Sequence, residues 1–285
     1  LKLYCSEHAH SSVEKGALAL GFGLAGVVKI AGDEQFRMRP DLLDEAIRRD
    51  RANGALPCVV VATAGTTSTA AIDPVRATGE IAAREKCWFH VDAAYAGPAA
   101  ACPEFRGMWD GLEYADSIVV NPHKWFFAPM ELSVLYTRRP NVLRETFSLV
   151  PEYLKTTDTA EINYMDYGLT LGRRFRALKL WMEIEHYGLE RMRDVIREHV
   201  RFAERLAAEI ARRDDYELVA PQSLSVVVFR KKSGDEATME LLERMNASGR
   251  LFLSHTKLRG RYAIRVAIGN GATEWRHVEQ ILSFL

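Results

Sequence analysis

Short apolar segments alternate with longer helical segments along the first half of this chain, and this alternation constrains the fold more than any other feature. The apolar segments are rich in β-branched residues and are bounded by turn residues, as buried strands are. Strands that alternate with helices form a mostly parallel sheet covered on both faces. We therefore predict an α/β fold, with strands at residues 27–30, 56–63, 87–91, 117–120 and 132–137 and helices at 11–20, 40–50 and 74–86.

The C-terminal part of the chain has a different pattern. Two long helical segments come first, at residues 173–187 and 190–212, and short strands and helices follow without regular alternation. This order predicts a small α+β domain. We expect part of a large domain over residues 1–170, a bridging helix over 171–189 and the small C-terminal domain over 190–285. The chain opens at Leu1 on a strand-like run, so we also expect an N-terminal part to be missing.

Charge and cysteine content exclude several classes of function. Lysine and arginine number 38, as do aspartate and glutamate, so no overall field favours nucleic acid or an anionic membrane. The four cysteines form no CxxC pair, which is typical of a reducing compartment such as the cytoplasm. No segment has the apolar length of a membrane span. The sequence predicts a cytoplasmic protein that binds neither nucleic acid nor membrane.

Residues 21–26, GFGLAG, match the GxGxxG pattern of dinucleotide-binding proteins. In those proteins the motif follows a strand and opens a helix. Here it closes a predicted helix and leads into a strand. We interpret these glycines as the end of a helix rather than as a nucleotide site.

Two charged residues stand at the ends of neighbouring predicted strands, where open α/β sheets bind ligands. Asp92 ends the strand over 87–91, and Lys124 follows the strand over 117–120 among aromatic residues. Aromatic surroundings that desolvate a lysine lower its pKa and favour the neutral amine that forms Schiff bases. Each residue alone has an ordinary explanation, Asp92 as a loop hydrogen bonder and Lys124 as a surface residue. Together they match pyridoxal-phosphate (PLP) enzymes, in which a carboxylate pairs with the pyridine nitrogen and a lysine carries the cofactor.

Five motifs make this similarity specific. In order along the chain, they resemble the signatures of the group II PLP-dependent decarboxylases, and most of all those of the aromatic-L-amino-acid decarboxylases. The motifs are HAHSSVEK at residues 8–15, VATAGTT at 61–67, HVDAAYAG at 90–97, NPHKW at 121–125 and LGRRFR at 171–176. The resemblance implies PLP-dependent transferase fold type I and pyridoxal 5'-phosphate as cofactor. It implies no metal.

The resemblance assigns catalytic and cofactor-binding roles to individual residues. Lys124 would hold the cofactor covalently, and Asp92 would pair with the ring nitrogen. His10 would stack on one face of the ring, and Ala94 would pack on the other. The alternative for His10 is a histidine of the loop that caps the first helix.

Five further residues receive roles in the same way. Thr67 and Asn121 would form hydrogen bonds near the cofactor, and His123 would lie beside the phosphate or the substrate. Tyr153 would protonate the substrate carbon after carbon dioxide leaves, and Gly172 would belong to a turn that reaches the cofactor of a partner subunit. Thr67 as a turn former and Tyr153 as a packed loop aromatic remain alternatives.

The resemblance implies a homodimer with the active site at its interface. It also implies that the segment missing before Leu1 supplies the hydroxyl residues that grip the phosphate. The expected reaction is decarboxylation of an aromatic L-amino acid to the amine and carbon dioxide. Aldehyde formation and decarboxylation of an acidic amino acid are alternatives within the family, and the presence of both His10 and Tyr153 favours plain decarboxylation.

Two alternatives lie outside PLP chemistry. His8, His10, His90 and Asp92 superficially resemble the ligands of a metal-dependent hydrolase, because alternate residues of a strand share a face. That hypothesis requires an eightfold barrel. The other alternative is a non-catalytic fragment that dimerises without binding cofactor.

Overall fold

The computed structural model describes residues 1–149 and 162–285. Six strands form the larger of two sheets in the order β2-β1-β3-β4-β5-β6. Neighbouring strands run parallel from β2 to β5, and β6 runs antiparallel to β5. The strands are β1 (Lys2–Ser6), β2 (Val27–Ile30), β3 (Pro57–Thr63), β4 (Trp88–Asp92), β5 (Ser117–Val120) and β6 (Val134–Thr137).

Helices connect these strands, which confirms the predicted α/β alternation. Those of the first half are α1 (Ser12–Ala19), α2 (Pro40–Ala52), α3 (Val75–Arg84), α4 (Pro122–Trp125) and α5 (Pro140–Phe147). Proline occupies the first turn of α2, α4 and α5, where its missing N–H costs nothing. Gly21 and Gly23 follow the end of α1 with φ of 81° and 69°, so this GxGxxG segment ends a helix, as predicted.

The second sheet is antiparallel throughout, with the order β7-β8-β10-β9. The C-terminal elements are α6 (Ala177–Tyr187), α7 (Leu189–Ala211), β7 (Tyr216–Leu218), β8 (Val226–Lys231), α8 (Asp235–Ala247), β9 (Ser254–Leu258), β10 (Arg261–Ala267) and α9 (Trp275–Glu279). The small α+β arrangement agrees with the expectation. Helix α7 serves two cores: Ile196 and Val200 pack under the large sheet, whereas Leu206 and Ile210 pack under the small one.

The sequence from Leu251 to His255 predicts a strand over 251–255, but strand β9 begins three residues later, at Ser254. The side chain of Asn246 forms hydrogen bonds with both backbone groups of Leu253. Oδ1 of Asn246 accepts from the Leu253 N–H (2.8 Å), and Nδ2 of Asn246 donates to the Leu253 carbonyl (3.0 Å). Those groups are therefore bonded to a side chain rather than to a neighbouring strand. The predicted strand over 251–255 is displaced for this reason.

Asp73 has a different role from the helix cap that Asp73-Pro74 predicts, because Pro74 itself stands at the cap position of α3. The Asp73 carboxylate is buried, and it accepts hydrogen bonds of 2.7 Å from the backbone N–H groups of Met38 and Thr63. Burial raises the pKa of Asp73 to about 7. Asp73 thus fastens the segment before α2 to the end of β3.

Candidate active site

A cavity of about 770 Å³ extends along one face of the large sheet, from Leu3, Val59 and Trp88 to the ends of β4 and β5. Six residues predicted for the site line it: His10, Asp92, Ala94, Asn121, His123 and Lys124. The strand register explains why Asp92 and Lys124 come together. Asp92 pairs with Val119 across neighbouring parallel strands, and both strands end at one edge of the sheet. This is the edge at which open α/β sheets bind ligands.

Asp92 is the last residue of β4, and only 8% of its surface is exposed. Its Oδ1 accepts a hydrogen bond of 3.0 Å from the backbone N–H of Ala94. Within residues 1–149 and 162–285, no ion pair involves this carboxylate. A buried carboxylate without a cation is costly, so Asp92 is suited to a positively charged ligand group.

Lys124 lies on the short helix α4 and faces the same cavity. Its side chain is exposed, so the expectation that aromatic neighbours desolvate it is wrong in this structure. The next residue, Trp125, fills the apolar interior instead and is fully buried. One turn of helix directs the two neighbours to opposite sides, which leaves the amine accessible to a ligand.

Trp125 anchors α4. Its ring stacks on Tyr95, with 5.1 Å between centroids and 11° between planes, and its Nε1 donates to Nδ1 of His199 on α7 (3.1 Å). The Tyr95 hydroxyl lies 2.6 Å from Oγ of Ser225, next to β8. The position of Lys124 therefore depends on contacts with α7 and with the C-terminal sheet.

Asn121 and His123 are held on either side of the α4 N-terminus. Oδ1 of Asn121 accepts a hydrogen bond of 2.7 Å from the hydroxyl of Ser133, and Nδ1 of His123 lies 3.1 Å from the backbone N of Leu132. The segment before β6 thus orients both side chains. Ser133 also lines the cavity, although no motif of the sequence points to it.

His10 stands at the start of α1 with an exposed ring. Its Nδ1 accepts from the backbone N–H of Ser12 (3.2 Å) and lies 2.9 Å from the Ser12 hydroxyl. The Ser-x-x-Glu spacing from Ser11 predicts a capping box, but Ser11 makes no side-chain cap bond and His10 takes this place. With Nδ1 occupied as an acceptor, the neutral imidazole carries its proton on Nε2, where a ligand can meet it.

His90 also lines the cavity, and we did not predict it as a cofactor-site residue. Its Nδ1 lies 2.8 Å from the hydroxyl of Ser117, which also accepts from Nε1 of Trp88 at 2.8 Å. Burial lowers the pKa of His90 and favours its neutral form. The signal was the two-residue spacing between His90 and Asp92, which places both on one face of β4.

Two predicted residues, Thr67 and Gly172, are not brought to this cavity. Thr67 is exposed, and its carbonyl accepts from Nε of Arg265 (2.6 Å). Gly172 lies in an exposed segment, where a Cβ added to it would meet nothing within 4 Å. Tyr153 falls outside the described residues. The roles of all three stay predictions.

The metal-hydrolase alternative is wrong on its fold requirement, because the large sheet is open, with β2 and β6 at its edges, and is not an eightfold barrel. Among the residues that the structure covers, no group of three or more histidine, cysteine, aspartate or glutamate residues could hold a metal ion. Within the same residues, no helix is both long and apolar enough to cross a membrane.

Comparison with known proteins identifies the family. The model of the pyridoxal-dependent decarboxylase conserved domain matches residues 1–232. The chain belongs to the pyridoxal-dependent decarboxylase family. It is 39% identical to tyrosine decarboxylase 4 of Petroselinum crispum over 98% of this chain and 58% of that protein, and 40% identical to aromatic-L-amino-acid decarboxylase of Sus scrofa over 98% and 57%. The chain thus spans less than two thirds of the length of these relatives.

Solved structures agree with this assignment. Oryza sativa TDC, crystallised with PLP and tryptamine, matches with a TM-score of 0.95 and 36% identity over 99% of this chain and 62% of that one. Mouse CSAD matches with a TM-score of 0.90 and 30% identity over 99% and 63%. The mostly parallel sheet followed by a small α+β part is therefore that of fold type I, and PLP is the family's cofactor.

The residues of the cavity fit this cofactor. Asp92 offers a buried, unpaired carboxylate to a pyridinium nitrogen, and Lys124 offers an accessible primary amine to an aldehyde. Ala94 lies beside them and is small enough to leave room for a flat ring. PLP therefore fits these residues because the three side chains share one cavity, and the strand register places them at the same edge of the sheet.

Proposed function

We propose that this protein decarboxylates an aromatic L-amino acid to the corresponding amine and carbon dioxide, with PLP as cofactor. The observation that carries the proposal is the single cavity shared by the unpaired carboxylate of Asp92 and the exposed amine of Lys124. Tyrosine and tryptophan decarboxylases at 36–40% identity support the aromatic class of substrate.

When bound, PLP withdraws the electrons left on the substrate carbon after carbon dioxide departs. Asp92 would keep the ring nitrogen protonated, because a buried carboxylate favours a cation beside it. Lys124 would hold the cofactor through its amine and return to it when the product leaves. His10 would present Nε2–H at the mouth of the cavity, where it could orient the substrate.

The apolar part of the cavity supports an aromatic rather than an acidic substrate. Val13, Leu20 and Phe22 around α1 and Trp88 on β4 line it together with Val119. In the described residues, no arginine lines this cavity, so no fixed guanidinium is available for a second carboxylate. An acidic amino acid would leave its side chain unpaired here.

Aldehyde formation is the second candidate, because one relative is the phenylacetaldehyde synthase of Arabidopsis thaliana, 38% identical over 98% of this chain. That outcome requires dioxygen to react before the substrate carbon is protonated. The sequence holds both His10 and Tyr153, the pair that the family resemblance associates with protonation and simple decarboxylation.

We further propose a homodimer in the cytoplasm. The segment around Gly172 and the neighbouring helix α6 expose large apolar side chains, among them Leu171 (75%), Phe175 (76%) and Trp181 (60%). Apolar surface of this extent is characteristic of protein interfaces. The free cysteines are consistent with a reducing compartment.

The test is to supply PLP and each of L-tyrosine, L-tryptophan, L-phenylalanine and L-glutamate, and to assay amine, aldehyde and hydrogen peroxide together under air and under nitrogen. We expect amine from an aromatic substrate in equal amounts under both gases. Peroxide and aldehyde formed only under air would favour the second candidate, and turnover of glutamate alone would contradict the aromatic class. Light scattering on dilution tests the dimer, which an active monomer would contradict.

A further inference from the structure

A second cavity, of about 410 Å³, lies away from the PLP site, between the helices α6 and α7 and the loop that follows β10. We define it as the α6–α7 cavity. Its lining is partly apolar and includes one acid, Glu183, and one base, Arg191. The residues are Phe127, Glu183, Tyr187, Arg191, Met192, Val195 and Asn270 to Ala272.

Glu183 is the unusual member of this lining. Its Oε2 is buried, and within the described residues it has no hydrogen-bond partner. Buried polar atoms are nearly always paired, because an unpaired one loses its hydration without compensation. Burial raises the pKa of Glu183, as it does for a carboxylate that lacks a cation.

The other residues that line the cavity indicate what kind of molecule would carry a group that pairs with Glu183. Met192 and Val195 form an apolar floor, and the rings of Phe127 and Tyr187 form aromatic walls. Among the described residues Arg191 forms no ion pair with Glu183, and its largely exposed side chain lies 4.0 Å from Glu198 instead. A carboxylate above an apolar and aromatic pocket is complementary to an ammonium group on an apolar body.

Phe127 connects this cavity to the turn that carries Lys124. It is a non-glycine residue with φ of 64°, a conformation that costs free energy and that clusters at functional sites. Its ring packs edge-on against His199, at 5.8 Å between centroids. Phe127 therefore separates the α6–α7 cavity from the Trp125–His199 contact that anchors α4.

We propose that the α6–α7 cavity binds a small organic ammonium ion with an aromatic or alkyl body, held by Glu183. The volume of the cavity lies within the range of small-molecule sites. The inference does not depend on the proposed reaction, because it requires neither PLP nor turnover. A ligand here would touch Phe127 and so would lie next to the turn that carries Lys124.

The experiment uses phenethylamine as probe and the ε-methyl group of Met192 as reporter. Methionines are labelled with ¹³C in their methyl groups, and the Met192 signal is identified with a Met192→Leu variant. The described lining of the larger cavity contains no methionine, so this signal reports on the α6–α7 cavity alone. We expect a saturable shift of the Met192 signal at about 1 mM amine or below, and none with the anion 3-phenylpropionate.

Glu183→Gln should weaken phenethylamine at least about 10-fold, since a charge-assisted hydrogen bond is lost. The matched control is Glu185→Gln, which neutralises an exposed carboxylate on the same helix and should leave the affinity unchanged. Unshifted signals of the other methionines in both variants verify folding. An unmoved Met192 signal would overturn the proposal, and so would equal affinity in Glu183→Gln. Loss of self-association in Glu183→Gln without amine binding would overturn it as well, because the carboxylate would then pair with a cation of a second copy.

Discussion

Nε1 of Trp125 donates a hydrogen bond of 3.1 Å to Nδ1 of His199, and this bond joins the lysine-bearing turn to the long helix α7. Both side chains are fully buried. Burial lowers the pKa of His199 to about 4, so its ring is neutral and Nδ1 is free to accept. The position of Lys124 therefore depends on a histidine far away in the sequence.

Replacing His199 by phenylalanine should destabilise the protein. Phenylalanine is of similar size but cannot accept the indole N–H, which would stay buried without a partner at a cost of about 1–3 kcal/mol. Urea unfolding measures the change. His186→Phe on α6 is the control, since His186 is exposed and its replacement should change the free energy of unfolding by less than about 0.5 kcal/mol. Equal effects of the two substitutions would show that the Trp125–His199 bond contributes nothing.

The stability should also depend on pH through His199. Its pKa is about 4 in the folded protein against the ordinary histidine value of 6.5, so the unfolded chain binds the extra proton between these values. The folded state must therefore lose stability as pH falls from 6.5 towards 4, by up to about 3 kcal/mol. A His199→Gln variant keeps an acceptor but does not titrate. The unfolding free energy of the wild type should therefore fall relative to that of His199→Gln as pH is lowered through this interval. A difference between the two proteins that does not change with pH would be inconsistent with a buried neutral His199.

Asp92→Asn should reduce turnover much more than cofactor retention. The neutral amide cannot keep the ring nitrogen protonated, and a loss of about 3 kcal/mol of stabilisation corresponds to roughly a hundredfold lower rate. Steady-state kinetics of the PLP-loaded protein and the ratio of cofactor to protein after gel filtration give the two quantities. Asp214→Asn, at an exposed position, is the matched control and should be neutral. Wild-type turnover in Asp92→Asn would refute the role of this carboxylate.

The elements that local patterns specify could be predicted closely. The strand over 117–120 has the predicted bounds, and helix α2 begins at Pro40 as predicted, because apolar periodicity and proline position act over a few residues. Asp73 and the start of β9 were mispredicted. In both, a side chain bonds to backbone groups outside its own element, 7 positions away for Asn246 and 10 and 35 positions away for Asp73, and apolar periodicity does not indicate such bonds.

The site shows the same division. Asp92 and Lys124 were predicted because each follows a recognisable strand, and parallel register then brings them to one edge. The exposure of Lys124 could not be predicted, because it follows from the burial of its neighbour Trp125. Trp125 is held in the interior by its hydrogen bond to His199, which is 74 positions further along the chain. Ser133 was missed because it acts through Asn121 and belongs to no motif.

Trapping of PLP by borohydride tests the central claim most directly. The protein is incubated with PLP, reduced, digested with trypsin and analysed by mass spectrometry for the modified peptide. The account predicts one modification, on Lys124, that disappears in Lys124→Ala and persists in Lys179→Ala, which removes an amine that donates to the carbonyl of Met130, between α4 and β6. Modification of another lysine in place of Lys124, or undiminished trapping in Lys124→Ala, would contradict the assignment of this cavity as the PLP site.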